Sequence, residues 1–160
     1  MIDSSNIRAH QHAAGAIGGQ EAQALGRSRG GFGTKIHAKV DALGMPLCFK
    51  LTGGERHESQ QAVPLISSDD CEYLLADKAY DDSGLRNFLS DREIIAVIPS
   101  KNNRLIQIPH DKHIYKERNC IERFFNRIKQ FRRIATHYDK LAVTFMGAIL
   151  VASIIIWLKG

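Results

Sequence analysis

The sequence predicts an α/β domain in which helices cover the faces of a mixed sheet. Three patterns carry that expectation: two alternating segments between Thr34 and Thr52, continuous apolar runs at Tyr73–Ala76 and Glu93–Ile98, and helical periodicity between and after them. At 160 residues the chain has room for one core and hardly for two domains. Its 44% hydrophobic and 24% charged residues exclude collagen-like, mucin-like and wholly disordered classes.

Residues 8–31 are rich in Ala, Gly, Gln and His without apolar periodicity, which predicts a mobile loop. From Thr34, apolar Ile36, Ala38 and Val40 alternate with Lys35, His37, Lys39 and Asp41, the pattern of a half-buried strand. A turn at Leu43–Pro46 leads into Leu47, Phe49 and Leu51, so the two strands form a hairpin that ends at Thr52-Gly53-Gly54. Glu58–Ile66 reads as a short helix that tolerates Pro64 if it lies in the first turn. Tyr73–Ala76 is an interior strand with Asp77 at its carboxyl end, Asp82 or Ser83 caps a helix through Leu89, and Glu93–Ile98 is a second buried strand closed by Pro99.

After a polar loop with Lys101 and Arg104, a long helix is expected from about His113 to Tyr138. At 100° per residue, Tyr115, Arg118, Asn126, Lys129 and Arg133 fall on one narrow stripe with Glu122, while Cys120, Phe124, Ile128, Phe131 and Ile134 fall opposite. Leu141–Leu158 holds eighteen uncharged residues, just the length of a membrane span. Thr144, Gly147 and Ser153 within it, and its continuity with a basic amphipathic helix, favour a buried C-terminal helix over 141–158. No membrane role is expected.

The net charge of +5 is unevenly spread: residues 1–60 balance at +2, 61–100 at −5 and 101–160 at +8. An acidic middle beside a basic final third suggests a metal or acid site next to a polyanion-binding surface, and argues against a uniformly basic binder of the ribosomal type. Three separated cysteines, Cys48, Cys71 and Cys120, give neither a disulfide framework nor a zinc pattern. With no basic leader in Met1–Ser5, a cytoplasmic location is expected.

Three acids stand in contexts that ask for explanation. Asp3 follows Ile2, Asp77 ends an apolar run, and Glu122 sits on a stripe of Tyr, Arg, Asn and Lys. Carboxylates from separate elements at a sheet edge supply the hard oxygen ligands that magnesium needs for phosphoryl transfer. Each also has a plainer reading. Asp3 serves as a cap or a terminal residue, Asp77 as a turn cap over Lys78–Asp81, and Glu122 as the i+4 partner of Arg118. Lys35 and His57 read as an exposed strand residue and a loop cap, and His10 and His12 as a pair without further metal ligands. Arg132 and Arg133 extend a cluster with Arg123, Arg127 and Lys129 that favours contact with phosphate.

Several blocks in order resemble a bacterial insertion-sequence transposase of the DDE superfamily, insertion-sequence-five-like group. They are Ile2–Ser5 with Arg8-Ala9-His10, GFGTKIHAKVD at Gly31–Asp41, Leu51–Gly54 with His57, ADKAYD at Ala76–Asp81, and Tyr115-x2-Arg118-x3-Glu122-x6-Lys129 followed by Phe131-Arg132-Arg133. The resemblance implies an RNase H-like fold with Asp3, Asp77 and Glu122 as the catalytic, metal-binding triad, and Tyr115, Arg118 and Lys129 contacting DNA at the transposon end. It also implies magnesium, with manganese as a substitute, phosphodiester hydrolysis at the element boundary, strand transfer into target DNA, and a homo-oligomer in the active complex. The fold's first strand should lead into Asp3, yet Met1 and Ile2 alone precede it. A largely missing first strand and an N-terminally truncated catalytic domain are therefore expected. A catalytically silent remnant that binds DNA or regulates transposition stands as the alternative.

Overall fold

The computed structural model describes residues 1–67 and 70–159. Strand β1 (Ile2–Arg8) leads through a 3-10 turn (Gln11–Ala13) and α1 (Gly19–Ala22) to β2 (Gly26–Ser28), then β3 (Gly31–Val40) and β4 (Pro46–Gly53). Next come α2 (Ser59–Ile66), β5 (Tyr73–Leu75), α3 (Ser83–Ser90) and β6 (Ile95–Val97). The C-terminal third holds α4 (Lys112–Tyr115), α5 (Asn119–Ile128), α6 (Arg132–Ala135) and α7 (Ala142–Lys159). The fold is thus mixed α/β, with an antiparallel sheet, a separate parallel pair of strands and flanking helices, consistent with the RNase H-like expectation.

β3 is the central strand. Thr34 pairs with Ile7 of β1 and with Gly53 of β4, so those neighbours lie on opposite edges, and short β2 continues the β4 side at Gly33. β5 and β6 form a separate parallel pair, with α3 as their crossover. The first strand, expected from Met1 and Ile2 alone, runs for seven residues because pairing with β3 continues past Asp3 to Arg8. Residues 8–31, expected as a mobile loop, contain the short elements named above.

The hairpin turn is held by Asp41, whose Oδ1 accepts the Leu43 and Met45 N–H groups, both at 2.9 Å. Gly44 has φ +82°, and a Cβ there would lie 3.1 Å from the Cys120 carbonyl oxygen, so its missing side chain lets the turn seat against α5.

Both faces of β3 are covered. Ile36, Ala38 and Val40 join Phe124, Phe125, Ile128, Phe145 and Ile149 in one apolar cluster; Ile2, Leu65, Leu74, Ala76, Tyr80 and Leu85 form a second under α2 and α3. The alternation in β3 therefore does not mark a solvent face: Thr34, Lys35 and His37 are buried with the apolar positions. His37 Nε2 lies 2.9 Å from Thr52 Oγ1. Pro64 is the sixth residue of α2, outside its first turn. α7 buries Phe145, Ile149, Ala152 and Ile156 but leaves Val143, Val151, Ile154 and Leu158 exposed, so it is a half-buried helix; by length and composition it is apolar enough to cross a membrane.

The expected single helix from His113 to Tyr138 is broken. A 3-10 turn (Lys116–Arg118) joins α4 to α5, and Phe131 adopts extended backbone (φ −75°, ψ 111°) before α6. The break lets Phe131 pack against the core and buries Ile134, which hydrophobic burial favours over three more turns of exposed helix.

Burial and the nearby Lys35 ammonium lower the His37 imidazole to about 4. In the unfolded chain it takes a proton near pH 6.5, so the stability it contributes above that pH is lost as pH falls toward 4. We expect wild type to lose roughly 2 to 3 kcal/mol more than His37→Gln between pH 7 and pH 4.5, read by urea melts. Equal acid sensitivity would show that the folded imidazole stays solvated.

Candidate active site

Strand alternation decides which side chains meet. Asp3 pairs with Ala38 and faces α5, whereas Ser4 pairs with His37 and faces the α2 side. On the α5 side, Arg118 Nη1 donates to Asp3 Oδ2 at 2.7 Å, and its Nη2 donates to Glu122 Oε1. One guanidinium, 15% exposed, thus bonds carboxylates from opposite ends of the chain. Asp3 Oδ1 also accepts the Ser4 N–H at 2.7 Å. Burial nevertheless raises the Asp3 carboxyl above its ordinary range; Ser4 and Arg118 offset this in part, while the Asp77 charge adds to it.

Asp77 follows β5 and caps the 3-10 turn Lys78–Tyr80, Oδ1 accepting the Ala79 N–H at 2.8 Å. The turn-cap reading of Asp77 and its nearness to Asp3 therefore hold together. Asp3 and Glu122 share one cation, the Arg118 guanidinium, and both carry the hard oxygen donors that a divalent cation takes. Among the described residues, no three acidic, histidine or cysteine side chains close into a metal cage. Glu122 stays half exposed on Arg118.

The other expected site residues divide. Tyr115 stacks edge-on against His110 at 5.3 Å, and its ring lies 5.9 Å from the Arg118 Cζ, so Tyr115, Arg118, Asp3 and Glu122 form one group. Lys129 caps the carboxyl end of α5 in helical conformation and is exposed, about 10 Å along the axis from Glu122. Arg132 is exposed on α6. Arg133 does not share the Glu122 stripe: the break at Phe131 moves it to another helix, where it forks onto Asp139 at 2.5 and 3.3 Å.

Behind Asp3, the opposite face of β1 carries groups that sequence reasoning missed or misplaced. Ser4 Oγ donates to Glu58 Oε1 at 3.1 Å, and Lys35 Nζ donates to the Arg56 carbonyl at 2.7 Å and to Glu58 at 3.3 Å. Lys35 is buried, not an exposed strand residue, because α2 and its approach cover this face. Tyr80 is fully buried, and burial, then the charges of Asp3, Glu58 and Asp77, push its hydroxyl pKa up. Its signal was the ADKAYD stretch itself. His57 is the loop cap expected, Nδ1 lying 2.9 Å from Ser59 Oγ, and His10 stacks on His12 and Tyr138.

Asp81 is a second missed residue. Its buried carboxylate accepts Arg86 Nε at 2.7 Å, Arg104 Nη1 at 2.9 Å and the Lys101 N–H at 2.8 Å. Burial alone would raise it, but these donors together hold it below the usual carboxylate range. Asp81 thereby fastens the Lys101–Arg104 loop next to the turn that carries Asp77. Asp81→Asn leaves a mostly buried Arg86 without its counter-charge and should cost about 3 kcal/mol in chemical denaturation; a loss below ~1 kcal/mol would show the cluster to be solvated.

A family model described as the transposase DDE domain matches residues 1–157. The chain is 41% identical over 128 residues to a Brucella ovis protein described as a candidate transposase for insertion sequence element IS6501, covering 79% of this chain and 98% of that one. It is 29% identical over 122 residues to a similarly described protein for element IS402 from Burkholderia cepacia, covering 69% of this chain and 56% of that one. No solved structure matches the chain significantly.

Proposed function

The chain belongs to the transposase DDE domain family, enzymes that act on DNA, and from that membership we propose that it hydrolyses a phosphodiester at transposon ends and transfers the freed strand into target DNA. The observation that carries this reading is the Arg118 bridge, which gathers Asp3 and Glu122 beside Asp77. Asp3, Asp77 and Glu122 are the residues that would hold the divalent metal the family uses, magnesium or manganese. When bound, such a cation supplies Lewis-acid activation of an attacking oxygen and charge relief at the leaving one.

The protein's own part is positioning. Once its Nη1 and Nη2 leave Asp3 and Glu122, Arg118 offers a partly desolvated guanidinium that can fork onto a phosphate, with Tyr115 beside it. Lys129 and Arg132, exposed beyond the acids, bind the backbone of the DNA end without reading its sequence. Arg133 reaches phosphate only if it leaves Asp139. Two active copies acting together at paired ends, in the cytoplasm, complete the proposal.

Two measurements test it. Glu122→Gln keeps the size and removes the charge; nicking of an end-sequence duplex in magnesium should fall by at least a hundredfold while DNA binding persists. Equal nicking rates would remove Glu122 from the triad, and no metal-dependent nicking by either form would return the chain to a silent DNA-binding role. For Lys129→Ala, the slope of log affinity against log salt should flatten by roughly 0.9, one released counterion. An unchanged slope would leave Lys129 as a solvated helix end.

A further inference from the structure

Helix α7 carries two apolar faces, and the domain uses one of them. At 100° per residue, Phe145, Ile149, Ala152 and Ile156 fall together, and they are buried in one cluster with Ile36, Ala38 and Phe124. On the opposite side Val143, Leu150, Val151, Ile154, Trp157 and Leu158 share about 120° of arc, and each is between 49% and 82% exposed. Gly147 lies within that arc, and no charged residue interrupts it from Ala142 to Leu158. Val143, Gly147, Leu150, Ile154 and Trp157 follow one another at intervals of four and three residues, the spacing of a helix-pairing seam. Gly147 is a weak helix former inside an 18-residue helix, yet a Cβ there would meet nothing within 4 Å. Packing within the chain therefore gives no reason for its small size. What it provides is a dent in an exposed apolar face.

A helix of this same sequence fits the face when it runs the other way. With a two-fold axis at Leu150, Gly147 opposes Ile154 of the second copy, and Val143 opposes its Trp157 and Leu158. Small then meets large along the whole seam. Parallel pairing would set Gly147 against Gly147 and Trp157 against Trp157, a void beside a clash. The antiparallel arrangement also opposes the two helix dipoles, and a two-fold contact closes on itself. The six exposed side chains offer on the order of 700 Å² per copy, close to the roughly 800 Å² per partner of a standard stable interface. Lipid suits the face less well. The core holds the other side of α7, and Trp157 Nε1 donates to the Pro46 carbonyl at 2.9 Å, so the helix is fastened to the domain. Lipid tails also make no use of large side chains set opposite small ones.

We propose that α7 is a dimerisation helix, packing antiparallel against α7 of a second copy of this chain through Val143, Gly147, Leu150, Ile154, Trp157 and Leu158. This gives a surface to the pairing of copies proposed above. Its test reads association without DNA or metal, so its failure leaves the nicking chemistry standing, and failure of the nicking chemistry leaves the dimer.

Association of the full chain would be followed by sedimentation equilibrium up to about 100 µM, where wild type should form a dimer. Gly147→Leu raises helix propensity and fills the dent, so in dilute solution its thermal midpoint should hold or rise while dimer affinity falls at least tenfold. Ile154→Glu should weaken the dimer as far. Under copper–phenanthroline oxidation Leu150→Cys, at the axis, should crosslink to itself above the background of Cys48, Cys71 and Cys120. Val143→Cys should not, because its two copies would lie about 20 Å apart along the helices. A monomeric wild type overturns the proposal, as does a dimer that both seam variants leave intact. Self-crosslinking of Val143→Cys equal to that of Leu150→Cys overturns the antiparallel arrangement. A monomer that sediments with phosphatidylcholine vesicles, and no longer does so as Ile154→Glu, overturns the second copy as occupant and assigns the face to lipid.

Discussion

The Arg118 guanidinium is the constraint on which the site turns, because it lies between Asp3 and Glu122 while Asp77 adds a third charge nearby. Carboxylates brought this close in a partly dry place repel, and without a cation at least one of them would take up a proton or turn away. For Arg118 to reach both, β1 must send Asp3 to the α5 face, and the 3-10 turn at Lys116–Arg118 must set the guanidinium one turn before Glu122. Gly44 contributes too, since its close approach to Cys120 seats the hairpin turn against α5. Electrostatics at the site thus depends on packing at the turn end of the hairpin, near Ala38, the partner of Asp3.

Local pattern was a good guide wherever one face of an element decided its fate. The hairpin, the apolar strand before Asp77 and the Asp82-capped helix are where alternation and capping put them, because short-range rules govern them. β3 misled for a physical reason. Its polar positions read as a solvent face, but a central strand covered on both sides buries Lys35 and His37 and meets their polarity with Glu58 and Thr52. Periodicity alone cannot tell water from a partner of opposite polarity. The helix stripe misled similarly: 100° arithmetic presumes unbroken helix, and tertiary burial of Ile134 outweighed continuity.

The candidate site was legible in its acids and in Arg118, and much less so in what surrounds them. Glu58, Tyr80 and Asp81 owe their roles to long-range neighbours that no spacing announces: Ser4 and Lys35 for Glu58, Asp3 for Tyr80, Arg86 and Arg104 for Asp81. The segment balance of −5 over residues 61–100 suggested a metal or acid site; within it Asp77 and Asp82 cap turns and Asp81 meets Arg86 and Arg104, while Asp70, Glu72, Asp91 and Glu93 stay exposed.

One join has a consequence for how the chain is made. Ala9 and His10 bridge to His137, whose N–H donates to the Arg8 carbonyl at 2.9 Å and whose ring rests on Phe145 and Thr34. The end of β1 is therefore fastened by residues almost 130 positions later in the sequence. A ribosome releases the chain from its N-terminus, so the hairpin and the β5–β6 unit can form during synthesis while the far end of β1 waits for its fastener. Contacts of such separation also make closure slow once the chain is free. The far end of the first strand is thus held only after residue 137 has been made.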